Sequence, residues 1–158
     1  MINYKNDKNN KNLQNWAIVH FYQFCKFLIF VIDFMKHTIL VVDDDELILN
    51  TYIKQLSSHD LEVYAAGTPE QAKAILEKVT PELVLLDLIL TKNDGSTGIR
   101  DYMKSEPRLE NVPVLVMTNL EKPELKEMLL SEGVKEYLIK GSMGMDELRK
   151  KIMGYLEP

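Results

Sequence analysis

The chain has 158 residues, with 19 Lys and Arg against 24 Asp and Glu, a net charge of −5. That length suits one domain with a full hydrophobic core, and the acidic balance argues against a nucleic-acid surface, which needs clustered Lys and Arg. The single cysteine, Cys25, excludes an internal disulfide framework or a cysteine metal cage and fits a reduced, cytoplasmic setting.

Composition divides the chain at Met35. All five Phe, the only Trp (Trp16) and Cys25 precede it, while all seven Gly and all six Pro follow it. Residues 35–158 hold 15 of the 19 bases and 22 of the 24 acids, a net of −7. The expected organisation is an atypical extension over 1–34 and one domain over 35–158. The extension has several readings. From Ala17 to Met35 it is mostly apolar, like a membrane-associating segment, but His20, Gln23, Lys26 and Asp33 interrupt it. A signal peptide would need a small-residue cleavage site, which is missing. An ordinary extra helix is a third reading. The plainest is an AT-rich non-coding stretch translated into Asn, Lys, Ile, Phe and Tyr, with Met35-Lys36-His37 as the true start.

After Met35, strands and helices alternate. "TILVV" is a continuous apolar run, as in a strand buried on both faces. Residues 46–56 place Leu49, Ile53 and Leu56 at helical spacing, with Ile48 and Tyr52 on a flanking row. "LEVYAA" reads as a second strand. "TPEQAKAILEKV" reads as a helix capped by Thr68, with Pro69 first, Gln71 completing a capping box, and Ala72, Ile75, Leu76 and Val79 as its stripe. "PELVLLDLIL" is the third strand, broken by the turn residues "TKNDGSTG". Ile99, Tyr102 and Met103 predict a helix ending before Pro107, and "VPVLVMTN" a fourth strand. "KPELKEMLLSEG" predicts a helix stopping at Gly133, "KEYLIK" a fifth strand and "SMGMDELRKKIMGYL" a last helix. This (βα)5 order predicts an α/β fold, a doubly wound five-stranded parallel sheet with helices on both faces.

In such sheets, sites form outside the carboxyl ends of the strands. That edge collects Asp43 and Asp44 from the first strand, Asp87 from the third, Thr118 and Asn119 from the fourth and Lys140 from the fifth. Clustered carboxylates with few other ligands suit Mg²⁺, a hard cation that prefers oxygen. Asp45 and Glu46 belong to the helix start, where acids favour the dipole. Singly, most members have plainer roles: Asp43 and Asp44 as helix caps, Lys140 as an exposed strand-end lysine, Thr118 as a β-branched strand residue. Asp87 is harder to dismiss, because an unpaired carboxylate after "LVLL" is costly. The constellation carries the inference.

The motifs "VVDDDE", "LVLLDLIL…DG", "VLVMTN" and "YLIK", in this order, resemble the response regulator receiver domain over residues 36–156. The resemblance implies a flavodoxin-like receiver fold and a stand-alone regulator. A sensor histidine kinase or phosphotransfer protein would donate a phosphoryl group to Asp87. Mg²⁺ would be bound by Asp44 and Asp87 directly, by Asp43 mainly through water, and by the backbone carbonyl of Ile89. Lys140 and the backbone N–H groups of Ile89 and Asn119 would face the phosphoryl oxygens. Thr118 and Tyr137 would form the switch, read out on the fourth helix, fifth strand and last helix. The resemblance implies a phospho-acceptor that assists its own phosphotransfer and autodephosphorylation, not an enzyme. It implies a cytoplasmic protein with an unidentified downstream protein target, no direct nucleic-acid contact and no membrane role for 35–158. The chain departs from the family at Gly141, where Pro is usual, at Leu90 and Thr91, where Met-Pro is common, and at Asn119, where a smaller residue is usual.

Two other classes compete. A small haloacid-dehalogenase-like phosphatase also uses a strand-end Asp with Mg²⁺, but shows Asp-x-Asp where this chain has Asp87-Leu88-Ile89. A pseudo-receiver used only as an interaction module usually lacks an acid or the lysine, and neither is missing.

Overall fold

The computed structural model describes residues 18–28, 36–90 and 95–157. The chain divides into two units at Lys36/His37. In the first, residues 18–28 form helix α1. The expected junction at Met35 and the departure at Thr91 lie outside the described residues. Among the described residues, no helix is long and apolar enough to cross a membrane.

The second unit alternates β1 (His37–Val42), α2 (Glu46–Leu56), β2 (Leu61–Ala66), α3 (Pro69–Leu76), β3 (Leu83–Asp87), α4 (Gly95–Ser105), β4 (Val114–Thr118), α5 (Pro123–Ser131), β5 (Glu136–Ile139) and α6 (Met145–Leu156). The strands run parallel in the order β2-β1-β3-β4-β5, the doubly wound sheet that the alternation predicts. The winding reverses between β1 and β3, so a switch point lies at their carboxyl ends. Val42 pairs with Leu86 there, which sets Asp43 and Asp87, the next residues, side by side.

Strand side chains alternate between faces. Ile39 and Val41 pack with Leu49, Tyr52 and Leu56 of α2 and Leu148 and Ile152 of α6. Leu40 and Val42 pack with Ala72 and Leu76 of α3 and Ile99 and Met103 of α4. A smaller cluster of Val116, Leu129 and Val134 seats α5.

The structure corrects three boundaries or faces. β3 ends at Asp87, not Leu90. The Asp87 carboxylate accepts the Ile89 N–H at 3.2 Å, which turns the chain out of the ladder and leaves Ile89 half exposed. On α2 the buried row is Leu49, Tyr52 and Leu56, while Ile53 faces solvent. The Tyr52 hydroxyl reaches the Met117 sulfur at 3.5 Å, so the ring rather than Ile53 fills the space over β4. α3 stops at Leu76 instead of running to Val79. The last turn tightens, with the N–H groups of Lys78 and Val79 both donating to the Ile75 carbonyl, and the Arg108 guanidinium caps the free carbonyls of Leu76 and Val79.

Candidate functional site

The four consecutive acids take separate places. Asp43 is buried at the end of β1, where its N–H donates to the Ala66 carbonyl at 3.1 Å. One of its carboxylate oxygens accepts the Asp45 N–H at 3.1 Å, and the other lies 2.6 Å from Lys140 Nζ. Asp44 is half-buried. Asp45 is the N-cap of α2 and accepts from the N–H groups of Leu47 and Ile48 at 2.8 and 3.2 Å. Glu46 opens the helix, exposed to solvent. The capping role therefore belongs to Asp45, and Asp43 and Asp44 are left to the strand edge.

Asp87 ends β3 with 6% exposure, and its second carboxylate oxygen lies 2.9 Å from Lys140 Nζ. Lys140 follows β5, and its backbone N–H donates to the Thr118 carbonyl at 2.8 Å. Its side chain is only 9% exposed, so it is not an ordinary surface lysine. Asp43, Asp44 and Asp87 offer oxygens that all lie within 4.8 Å of one another. Burial works against the Lys140 ammonium, but hydrogen bonds and charge from Asp43 and Asp87 outweigh it and hold its pKa above the ordinary lysine value. Burial raises the Asp43 carboxyl above the usual carboxylate value despite the ammonium beside it. Both directions make sense for three acids sharing one cation. The donors are all oxygen, and with Lys140 the cluster carries a formal charge of −2, so it fits a divalent hard cation such as Mg²⁺.

Thr118 is fully buried at the end of β4, and its hydroxyl oxygen accepts the Leu120 N–H at 3.1 Å. Tyr137 is half-buried on β5, packs on the α5 cluster and donates its hydroxyl to the Leu120 carbonyl at 2.6 Å. Asn119 and Ile89 are both exposed. Gly141 takes φ +76, and no cis peptide occurs among the described residues.

Sequence reasoning placed Tyr52 in a flanking core row and missed its place beside the site. Burial, then the Asp43 charge, pushes its phenol up, a sign that it lies within electrostatic reach of the cluster. Nothing in its helical spacing signals this. Tyr52 lines an open, largely apolar groove of about 300 Å³ with Leu47, Ile48, Met117, Met143 and Met145, and Lys140 borders it.

A family model for the response regulator receiver domain matches residues 39–153. The chain belongs to the response regulator receiver domain family. This receiver is 31% identical over 114 residues to the gliding motility regulatory protein of Myxococcus xanthus, covering 72% of this chain and 14% of that protein. It is 32% identical over 104 residues to the DNA-binding dual master transcriptional regulator RpaA of Synechocystis, 65% of this chain and 42% of that one. The receiver thus spans less than half the length of these relatives. Another relative is a histidine kinase of Formosa agariphila, 29% identical over 122 residues, 77% of this chain and 9% of that one. Among solved structures, a CheY-like receiver domain protein from Methanospirillum hungatei is 26% identical with a TM-score of 0.67, covering 77% of this chain and 94% of that one. The signal receiver domain of a DNA-binding response regulator from Colwellia psychrerythraea, 24% identical, shares the fold at a TM-score of 0.69, covering 78% of this chain and all of that one. Receiver domains are phospho-acceptors, bind Mg²⁺ in general and interact with histidine kinases or phosphotransfer proteins.

Proposed function

We propose that this receiver accepts a phosphoryl group on Asp87 from the phosphohistidine of a kinase or phosphotransfer protein and signals through phosphorylation-dependent protein contact. The observation that carries the reading is Lys140 Nζ, 2.6 Å from Asp43 and 2.9 Å from Asp87, with Asp44 in the same cluster. The N–P bond of the donor breaks as an Asp87 oxygen bonds to phosphorus, and the imidazole leaves. Lys140 is already desolvated and exchanges one carboxylate contact for a phosphoryl oxygen. Catalysis of this kind is positioning and charge neutralisation. Asp43, Asp44, Asp87 and the Ile89 carbonyl would hold Mg²⁺, which when bound neutralises charge on the phosphoryl oxygens.

The switch has a physical link in Leu120. Its N–H serves Thr118 and its carbonyl serves Tyr137. When Thr118 turns its hydroxyl toward a phosphoryl group, the Leu120 N–H loses its acceptor and the loop carrying the Tyr137 acceptor is released. A haloacid-dehalogenase-like reading is disfavoured, because Ile89, where that family's second acid would stand, has no carboxylate. The test is a phosphotransfer assay of the full chain against a panel of autophosphorylated histidine kinases, with Asp87→Asn as control. Transfer from at least one kinase to the native chain alone supports the proposal. Equal labelling of Asp87→Asn, or turnover of a phosphate monoester, refutes it.

A further inference from the structure

Helix α1 carries an apolar surface of a kind that soluble units rarely leave open. At 100° per residue, Phe24, Leu28, Phe21, Cys25, Ile18 and Tyr22 fall on one continuous arc of about 160°. Phe21 is 70% exposed, Ile18 65% and Phe24 60%. His20, Gln23 and Lys26 form a polar row on the opposite side, with Val19 and Phe27 set among them. The Lys26 ammonium lies 4.9 Å from the centre of the Tyr22 ring, at the border of the arc. Ahead of the helix the sequence carries Lys5, Lys8 and Lys11 against one acid, Asp7.

We propose that α1 lies in the plane of an anionic lipid surface, its apolar arc among the headgroups and upper acyl chains. A spanning helix would carry His20, Gln23 and Lys26 into the hydrocarbon core, which is costly, so α1 lies on the membrane and does not span it. Phe and Tyr suit the interfacial zone, and a helix with one apolar arc and a lysine-rich flank is the usual form of an interfacial anchor. Lys26 is placed to bury its stem and keep its charge in water. Charge complementarity selects anionic lipid. The first 34 residues hold four Lys and two Asp and are drawn to it, whereas residues 35–158, net −7, are repelled. Attachment therefore falls to the extension alone, leaving the receiver free to meet partners. A second copy is the competing cover, because Ile18, Phe21, Cys25 and Leu28 also fit a three–four seam. However, the α1 arc of about 160° is wider than a coiled-coil seam.

The test uses the full chain with large vesicles of phosphatidylcholine alone or mixed equally with phosphatidylglycerol. At low salt the chain should sediment with the mixed vesicles. Binding should fall severalfold with phosphatidylcholine alone or with added salt. The emission of Trp16, the only tryptophan, should shift to the blue when mixed vesicles are added. Phe21→Glu combined with Phe24→Glu should abolish sedimentation and the shift, while thermal unfolding of the receiver stays the same. Three results would overturn the proposal. The native chain stays in solution with both vesicles, the double variant sediments as well as the native chain, or the native chain self-associates without lipid and mixed vesicles leave Trp16 emission unchanged.

Discussion

Lys140 balances the acids at the strand edge, so its removal should show in stability as well as in chemistry. Truncating one partner of a buried ion pair costs about 3–5 kcal/mol, because the other charge stays buried. With divalent ions chelated, Lys140→Ala should lose about 3 kcal/mol in urea unfolding. Added Mg²⁺ should recover part of that loss, since it offsets the same repulsion. An unchanged midpoint under chelation would show that the ammonium does not stabilise the cluster. Asp60 offers a test away from the site. The Ser58 hydroxyl, 2.5 Å away, leads the contacts that outweigh burial and hold the Asp60 carboxyl at about 2, with its own backbone N–H and Arg149 contributing. A carboxyl lowered in the fold adds stability that is present above its ordinary 3.8 and lost as pH falls toward about 2. Asp60 is 39% exposed, so the effect is modest. Asp60→Asn should flatten the acid limb of stability between those values, and coincident limbs for variant and native chain would remove Asp60 from the account of acid unfolding.

At the scale of the element, the β5–α6 connection is the departure with a measurable consequence. Gly141 sits at φ +76, and a Cβ there would meet nothing within 4 Å. Gly141→Ala should therefore cost only backbone strain, about 1 kcal/mol. Gly141→Pro restores the residue usual in the family, yet it should cost more, because proline holds φ near −65°. Chemical denaturation of both variants checks this order, and a Pro variant as stable as the native chain would contradict it. The neighbouring elements show what was legible in sequence and what was not. Buried parallel strands announce themselves as apolar runs, and their carboxyl ends share one edge whatever the loops do. That is why Asp43, Asp87, Thr118 and Lys140 can be assigned to one edge from the sequence. The end of β3 was hidden because it depends on one hydrogen bond from Ile89 to Asp87. The carbonyls past the end of α3 are capped by Arg108, which acts from more than 25 residues away. The choice of Tyr52 over Ile53 depends on Met117 across the core. Such long-range choices leave no mark in local periodicity.

At the scale of the whole molecule, the proposed phosphotransfer predicts that a protein donor docks in the groove beside Lys140. Leu47, on its rim, is 78% exposed and contributes nothing to the buried core. Leu47→Glu should reduce phosphotransfer from a protein donor at least severalfold while leaving labelling by acetyl phosphate intact, because only the protein donor needs the groove. Equal loss with both donors would mean that Leu47 acts on the site itself. The cluster of Asp43, Asp44, Asp87 and Lys140 is the feature on which the functional reading stands, and its chemistry can be read directly. The decisive measurement is the position of the label after the full chain is incubated with acetyl phosphate and Mg²⁺, reduced with borohydride and mapped by mass spectrometry. The site predicts a single base-labile phosphoryl group whose reduction product lies at Asp87, absent without Mg²⁺ and in Asp87→Asn. A label on another residue, or one that persists in Asp87→Asn, would contradict it.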